Sequence, residues 1–221
     1  WQDMQRAQYI GRSLDALLQD GVRMAYDKHN DANVYMGLPE YNTTGLINNP
    51  DAVETTVAAG ASGKTNWVDK TPQEILADIN TALTATWDAA ANDKAAMPNH
   101  ILLPYAEYSY LINTMVTELA GKSIMQYIRE NNIAAEEGVD LFIAPTSWCK
   151  EAGTSGTDRM VVYVNHERFV KYEELVPLMR CMTGPVPTFF CYDTTYAANL
   201  SEVEIFYPQT ITYWDGIGGA T

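Results

Sequence analysis

Residues 44–50 read Thr44-Gly45-Leu46-Ile47-Asn48-Asn49-Pro50, and they separate segments of different character. Glycine and asparagine accept left-handed backbone and proline cannot continue a helix, so this run is turn chemistry. On its N-terminal side, apolar residues recur at Met4, Ala7, Ile10, Leu14, Leu17, Leu18, Val22 and Ala25. Steps of three and four put them on one face of a helix. That helix is expected over residues 1–29 and would be about 43 Å long at 1.5 Å per residue. Gly11 and Gly21 each weaken it by about 1 kcal/mol relative to Ala, which packing along its length has to offset. No capping residue stands before Trp1, so the helix is expected to begin upstream of the sequence given.

Between the long helix and residue 70 the chain reads as irregular, with only residues 52–57 suited to a short strand. Thr71-Pro72-Gln73-Glu74 then forms a capping box, with Thr71 as N-cap and Pro72 at the first helical position. The helix it opens carries Ile75, Leu76, Ile79, Leu83 and Trp87 on its apolar face and is expected to end near Asn92. His100-Ile101-Leu102-Leu103 reads as a buried strand, followed through Pro104 by a third helix with Tyr108, Leu111, Ile112, Met115, Val116 and Leu119. Gly121 is placed to end that helix, and residues 123–131 repeat the pattern with Ile124, Tyr127 and Ile128. Further strands are expected over 139–144, 160–164, 169–172, 187–192, 203–207 and 210–214. Helices mixed with strands first, then a run of strands, predicts an α+β chain.

The 221 residues carry 28 acidic against 14 basic side chains, a net charge of −14. A surface so one-signed argues against a nucleic-acid binder or a protein held to anionic lipid. Apolar residues make up 47% of the chain, enough to build a core and to exclude intrinsic disorder. No apolar run is long enough to span a membrane. Cys149, Cys181 and Cys191 are odd in number and share no close spacing, so three buried, inert thiols are expected rather than a disulfide framework or zinc site.

Ala58-Ala59-Gly60-Ala61-Ser62-Gly63-Lys64-Thr65 fits a relaxed phosphate-loop pattern. A working loop needs a helix opening at Lys64-Thr65 to aim its dipole at the phosphates, whereas here the next helix waits until Thr71. A flexible small-residue loop is the better reading, and a nucleotide-binding enzyme using Gly60 to Thr65 is a distant alternative. His29, His100 and His166 lie far apart and offer no metal-ligand spacing. Glu136-Glu137 and Glu173-Glu174 read as solvated faces, and no serine or cysteine has a base beside it in sequence. Catalysis, cofactors and metals are not expected. Fourteen Tyr and five Trp suit either broad contact surfaces or a Tyr-rich core.

The order of elements resembles the major capsid protein of tailed bacteriophages, the Hong Kong-type shell fold, which is related to the bacterial encapsulins. It is closest to a phage-like structural protein family. The resemblance is carried by Tyr35-Met36-Gly37 with Thr44 to Pro50, similar to the turn after that family's spine helix. Thr71-Pro72 with Ile75-Leu76, then Pro98-Asn99-His100-Ile101-Leu102-Leu103-Pro104 with Tyr108 and Leu111, match the next helix and the strand-to-helix step. Asp158-Arg159-Met160-Val161-Val162-Tyr163 and the closing Trp214-Asp215-Gly216-Ile217 look like the late strands.

The resemblance implies a peripheral domain over 1–70 (spine helix and following loop) and 166–200, and an axial domain over 71–165 with a return over 201–221. It implies that the family's N-terminal arm and extended loop are missing from this sequence. It implies a shell subunit of a phage or prophage, self-assembling into pentamers and hexamers around double-stranded DNA without sequence-specific contact. A scaffolding protein or maturation protease would be accessory partners, with the virion capsid as location and the bacterial cytoplasm as site of assembly. An encapsulin-like compartment is the alternative within the same fold. By position, Gly121, Lys122, Ser123, Thr154 and Ser155 are expected in loops at the capsomer axis.

Overall fold

A computed structural model describes residues 11, 14–117, 121–186, 188 and 191–219. Its helices are α1 (Leu14–Met36), α2 (Pro72–Ala89), α3 (Tyr105–Asn113), α4 (Ile124–Asn131) and the single turn α5 (Ile133–Glu136). Its strands are β1 (Val53–Thr56), β2 (His100–Leu103), β3 (Phe142–Pro145), β4 (Thr157–Tyr163), β5 (Val170–Lys171), β6 (Glu174–Val186), β7 (Cys191–Leu200), β8 (Glu204–Ile205) and β9 (Ile211–Gly219). The α+β class expected from the sequence is the one observed. Chain contacts divide it into two units, Trp1–Leu46 with Tyr172–Val203 and Ile47–Lys171 with Glu204–Thr221.

The larger unit is built on a mixed sheet of order β1-β9-β4-β2-β3. Strands β1 and β9 run parallel, β9 and β4 antiparallel, β4 and β2 antiparallel, and β2 and β3 parallel. Alternation along the strands sends Ile101 and Leu103, Met160 and Val162 into one core with Ile75, Ile79 and Leu83 of α2, Leu111 of α3, and Ile124 and Ile128 of α4. Thr71 caps α2 as its sequence predicts, accepting the Glu74 N–H while the Glu74 side chain accepts from Thr71. A buried Lys70–Asp78 ion pair, 2.5 Å apart, ties the preceding loop to that helix, with the Trp67 indole N–H donating to the same carboxylate at 3.1 Å.

The smaller unit holds α1 and the long β6–β7 hairpin. Asn33 is the one buried residue among those whose burial is described in α1, and no described residue of the hairpin is buried. Tyr26 donates to Glu174 at 2.5 Å, the Asn33 amide donates to Ser201 O at 3.1 Å, and Arg180 reaches Asp15 at 3.3 Å.

Several expectations are corrected here. Helix α1 does not stop at His29 but runs to Met36, where Gly37, with φ +72°, breaks it. Gly11 takes φ +71° and is not helical; the remainder of residues 1–13 lies outside the described residues. Helix α3 ends at Asn113, so Met115 and Val116 belong to a loop, and Gly121 does not terminate the helix. Leu119 lies outside the described residues. Of the strand expected over 187–192, residues 191 and 192 open β7 and residue 188 is a turn, while 187, 189 and 190 lie outside the described residues. Cys149 is buried, but Cys181 is exposed on β6, against the expectation of three buried thiols; the Cys191 side chain lies outside the described residues.

Candidate functional site

The 150–157 loop, which carries Thr154 and Ser155, is held from below by two buried acids on neighbouring strands. Asp215 of β9 accepts the Thr154 N–H at 2.7 Å and its hydroxyl at 3.1 Å. Asp158 of β4 accepts the Glu151 N–H at 2.8 Å. The loop closes on itself where the Gly153 N–H meets Thr157 O at 2.8 Å. Its tip turns through Ser155 and Gly156, at φ +60° and +75°. Gly153 is required by close approach, since a Cβ there would lie 2.7 Å from the Asp215 carboxyl carbon.

Asp215 is paired with Arg159. Arg159 Nε and Nη2 reach the two Asp215 oxygens at 2.8 and 3.1 Å, Nη2 also reaches Glu54 at 2.7 Å, and Nη1 donates to Ile47 O at 2.9 Å. Its guanidinium lies 4.5 Å above the Tyr213 ring, a stacking geometry open to Arg and not to Lys. Burial opposes the guanidinium charge, but hydrogen bonding and charge from Asp215, then Glu54, outweigh it and raise the Arg159 pKa. A planar fork satisfied on all sides is a rigid footing for the loop above it.

The second expected loop contains Gly121, Lys122 and Ser123. Backbone bonds from Val116 N–H to Lys122 O at 3.0 Å and from Ile124 N–H to Thr114 O at 2.9 Å join residues 114–116 to 122–124. Residues 118–120 lie outside the described residues. Gly121 takes φ +62°. Lys122 pairs with Glu130 of α4 at 2.6 Å across a half-exposed surface. Ser123 is the N-cap of α4 and makes a capping box with Gln126, a role that its sequence signals but that apolar periodicity over 123–131 does not bring out. Among the described residues, no hydrogen bond or ion pair joins Gly121, Lys122 or Ser123 to Thr154 or Ser155.

Sequence reading missed the Arg159–Asp215–Glu54 cluster and Gly153. The available signal was charge out of place: Asp158-Arg159 opens an apolar strand run, and Asp215 follows Tyr213-Trp214. The Gly60-to-Thr65 stretch is a loop in which Lys64 pairs with Asp69 at 3.2 Å; a single 3-10 turn over Trp67–Asp69 follows it, and the next α-helix opens only at Pro72. His100 sits half-buried against Phe142 and Tyr163, while His166 meets Phe169. Burial lowers the His100 pKa and pushes the Cys149 thiol up to about 12. Among the described residues, no three His, Cys, Asp or Glu side chains are grouped to hold a metal ion. No described helix is long and apolar enough to cross a membrane.

The comparisons with known proteins agree with this architecture. No curated protein sequence matches the chain. Among solved structures, it is similar to the capsid of Myoviridae phage XM1 with a TM-score of 0.77 at 14% identity, over 97% of this chain and 69% of that one. It is similar to a protein of Mycobacterium phage Che8 at a TM-score of 0.54 and 12% identity, covering 94% of this chain and 65% of that one. A phage-related protein from Bordetella bronchiseptica also gives 0.54, at 11% identity, with 92% and 66% covered. The chain thus spans about two thirds of the length of these structures. The profile of the major capsid protein family matches residues 1–217, nearly the whole sequence, and the chain belongs to that family.

Proposed function

We propose that the chain is the structural, non-catalytic subunit of a phage or prophage shell, with the smaller unit as peripheral domain and the larger as axial domain. The observation that carries this beyond family membership is the unsupported apolar surface of the smaller unit. Leu17, Leu18 and Met24 of α1 are about 60% exposed, and Leu175, Met179, Met182 and Tyr192 of the hairpin are at least half exposed. An isolated two-stranded hairpin is marginal in water, and a helix draws most of its stability from a packed face. Side chains of this kind are stabilised by burial against other copies around closed symmetry axes.

In this reading subunits gather into pentamers and hexamers, and the Gly121-to-Ser123 and Thr154–Ser155 loops lie at the capsomer axis. The net charge of −14 suits a wall that confines double-stranded DNA by repulsion rather than by sequence-specific contact. Scaffold or protease partners, location in the virion and assembly in the bacterial cytoplasm belong to the same proposal. The test is expression of the encoding gene alone, followed by negative-stain microscopy. Rings of subunits or closed shells are expected, and Met182→Ser with Leu18→Ser should reduce their yield. Monomers that persist at high concentration, both from the gene alone and on co-expression with the neighbouring phage genes, would overturn the reading. Shells that carry protein cargo and exclude nucleic acid would instead favour the encapsulin-like alternative.

A further inference from the structure

We propose that Glu107 and Asp158 form a buried carboxyl pair sharing one proton, and that loss of this proton loosens the 150–157 loop; the consequence for a shell rests on the reading of that loop as an axis element. Glu107 stands in the first turn of α3 and Asp158 in β4, and they are 7% and 4% exposed. Glu107 Oε2 is buried with no hydrogen-bond partner. The two carboxyls meet over Gly218 of β9: a Cβ there would collide with Glu107 Oε1 and lie 2.9 Å from Asp158 Oδ2. Only a residue without a side chain lets them approach. The other Asp158 oxygen accepts the Glu151 N–H at 2.8 Å, so the pair is wired directly to the loop.

Among the described residues, no ion pair joins a cation to Glu107 or Asp158, and Lys150 of the loop pairs instead with the Glu151 carboxylate at 3.3 Å. Arg159 neighbours Asp158 in sequence but alternates to the other side of β4, where Asp215 and Glu54 engage it. Cys149 stays a neutral thiol, its pKa pushed up to about 12 by burial. Strand β3, which packs on α3, carries no charged residue. On the 67–69 turn Asp69 pairs with Lys64, and on α4 Glu130 pairs with Lys122 while Arg129 is exposed.

Two ionised carboxylates in such a site repel without relief, and one of them retains its proton. Burial first, with the charge of Asp158 adding to it and the backbone N–H of Glu107 opposing, pushes Glu107 from 4.5 up to about 7. The sign follows from linkage. Below pH 4.5 the group is protonated folded or unfolded, and its contribution to stability is fully present. As pH rises from there through 7 the folded chain must give up a proton that the unfolded chain has already lost, and that contribution disappears.

The experiment is amide hydrogen exchange of Glu151, corrected for the intrinsic effect of pH, in the full chain at about pH 6 and about pH 8, spanning the shifted titration. Wild type should lose protection by roughly 10-fold or more across that interval. Glu107→Gln, which cannot ionise, should show the same protection at both. Should that variant fail to fold, Asp158→Asn serves: its amide oxygen still accepts from Glu151, and it too should abolish the difference. A flat wild type, or an equal drop in the variants, overturns the pair. A flat loop in a chain that still builds shells would sink the switch and spare the shell reading. A pH-sensitive loop in a chain that never assembles would do the reverse.

Discussion

Arg159 and Asp215 stand directly opposite each other on antiparallel strands β4 and β9 and are joined by two hydrogen bonds, at 2.8 and 3.1 Å, with both side chains at most 5% exposed. Asp215 turns its remaining acceptor capacity to Thr154, so one ion pair both crosses the sheet and anchors a surface loop. A buried pair of this kind is costly to halve, because the survivor is left charged in a site that excludes water.

Arg159→Ala should therefore destabilise the chain by about 3–5 kcal/mol, read as a lower midpoint in urea unfolding. Arg159→Lys should recover only a fraction of that loss, because an ammonium cannot bridge both carboxylate oxygens and stack on Tyr213 together. Full recovery by Lys would mean that charge alone matters and that the fork geometry does not.

Two glycines in the smaller unit should respond in opposite directions. Gly45 passes so close to the end of α1 that a Cβ would collide with the Tyr35 carbonyl, and backbone cannot swing away as a side chain can. Gly45→Ala should cost about 3 kcal/mol or more and expose the Leu46 amide, which bonds Val34 O at 3.0 Å. Gly21 lies within α1 with nothing inside 4 Å of its missing Cβ, so Gly21→Ala should stabilise the helix by about 1 kcal/mol. Thermal unfolding of both variants checks the ordering.

Ser123→Ala removes the side-chain acceptor that caps α4 and should lower stability by about 1 kcal/mol. Assembly should fall only as far as that loss dictates. A shell yield that drops while thermal stability is unchanged would assign the hydroxyl to a contact between subunits instead of a helix cap.

What the sequence determined by itself was local. The capping box at Thr71, the buried strand from His100 to Leu103 and the apolar face from Ile75 to Leu83 were legible because each depends on chemistry within a few residues. The order of those elements was enough to reach the shell family. Tertiary structure alone decided the rest. The β6–β7 hairpin lacks the alternation that marks a strand, since no described residue in it is buried and no face is selected against water. Gly37 ends α1 locally, but the close return of Gly45 and Leu46 against its last turn was visible only in the fold. The footing of the 150–157 loop joins Arg159 to Asp215, and the acid pair joins Glu107 to Asp158; both unite residues some fifty positions apart. Pairings at that separation come from strand register and burial, and neither is written in the spacing of residues along the chain.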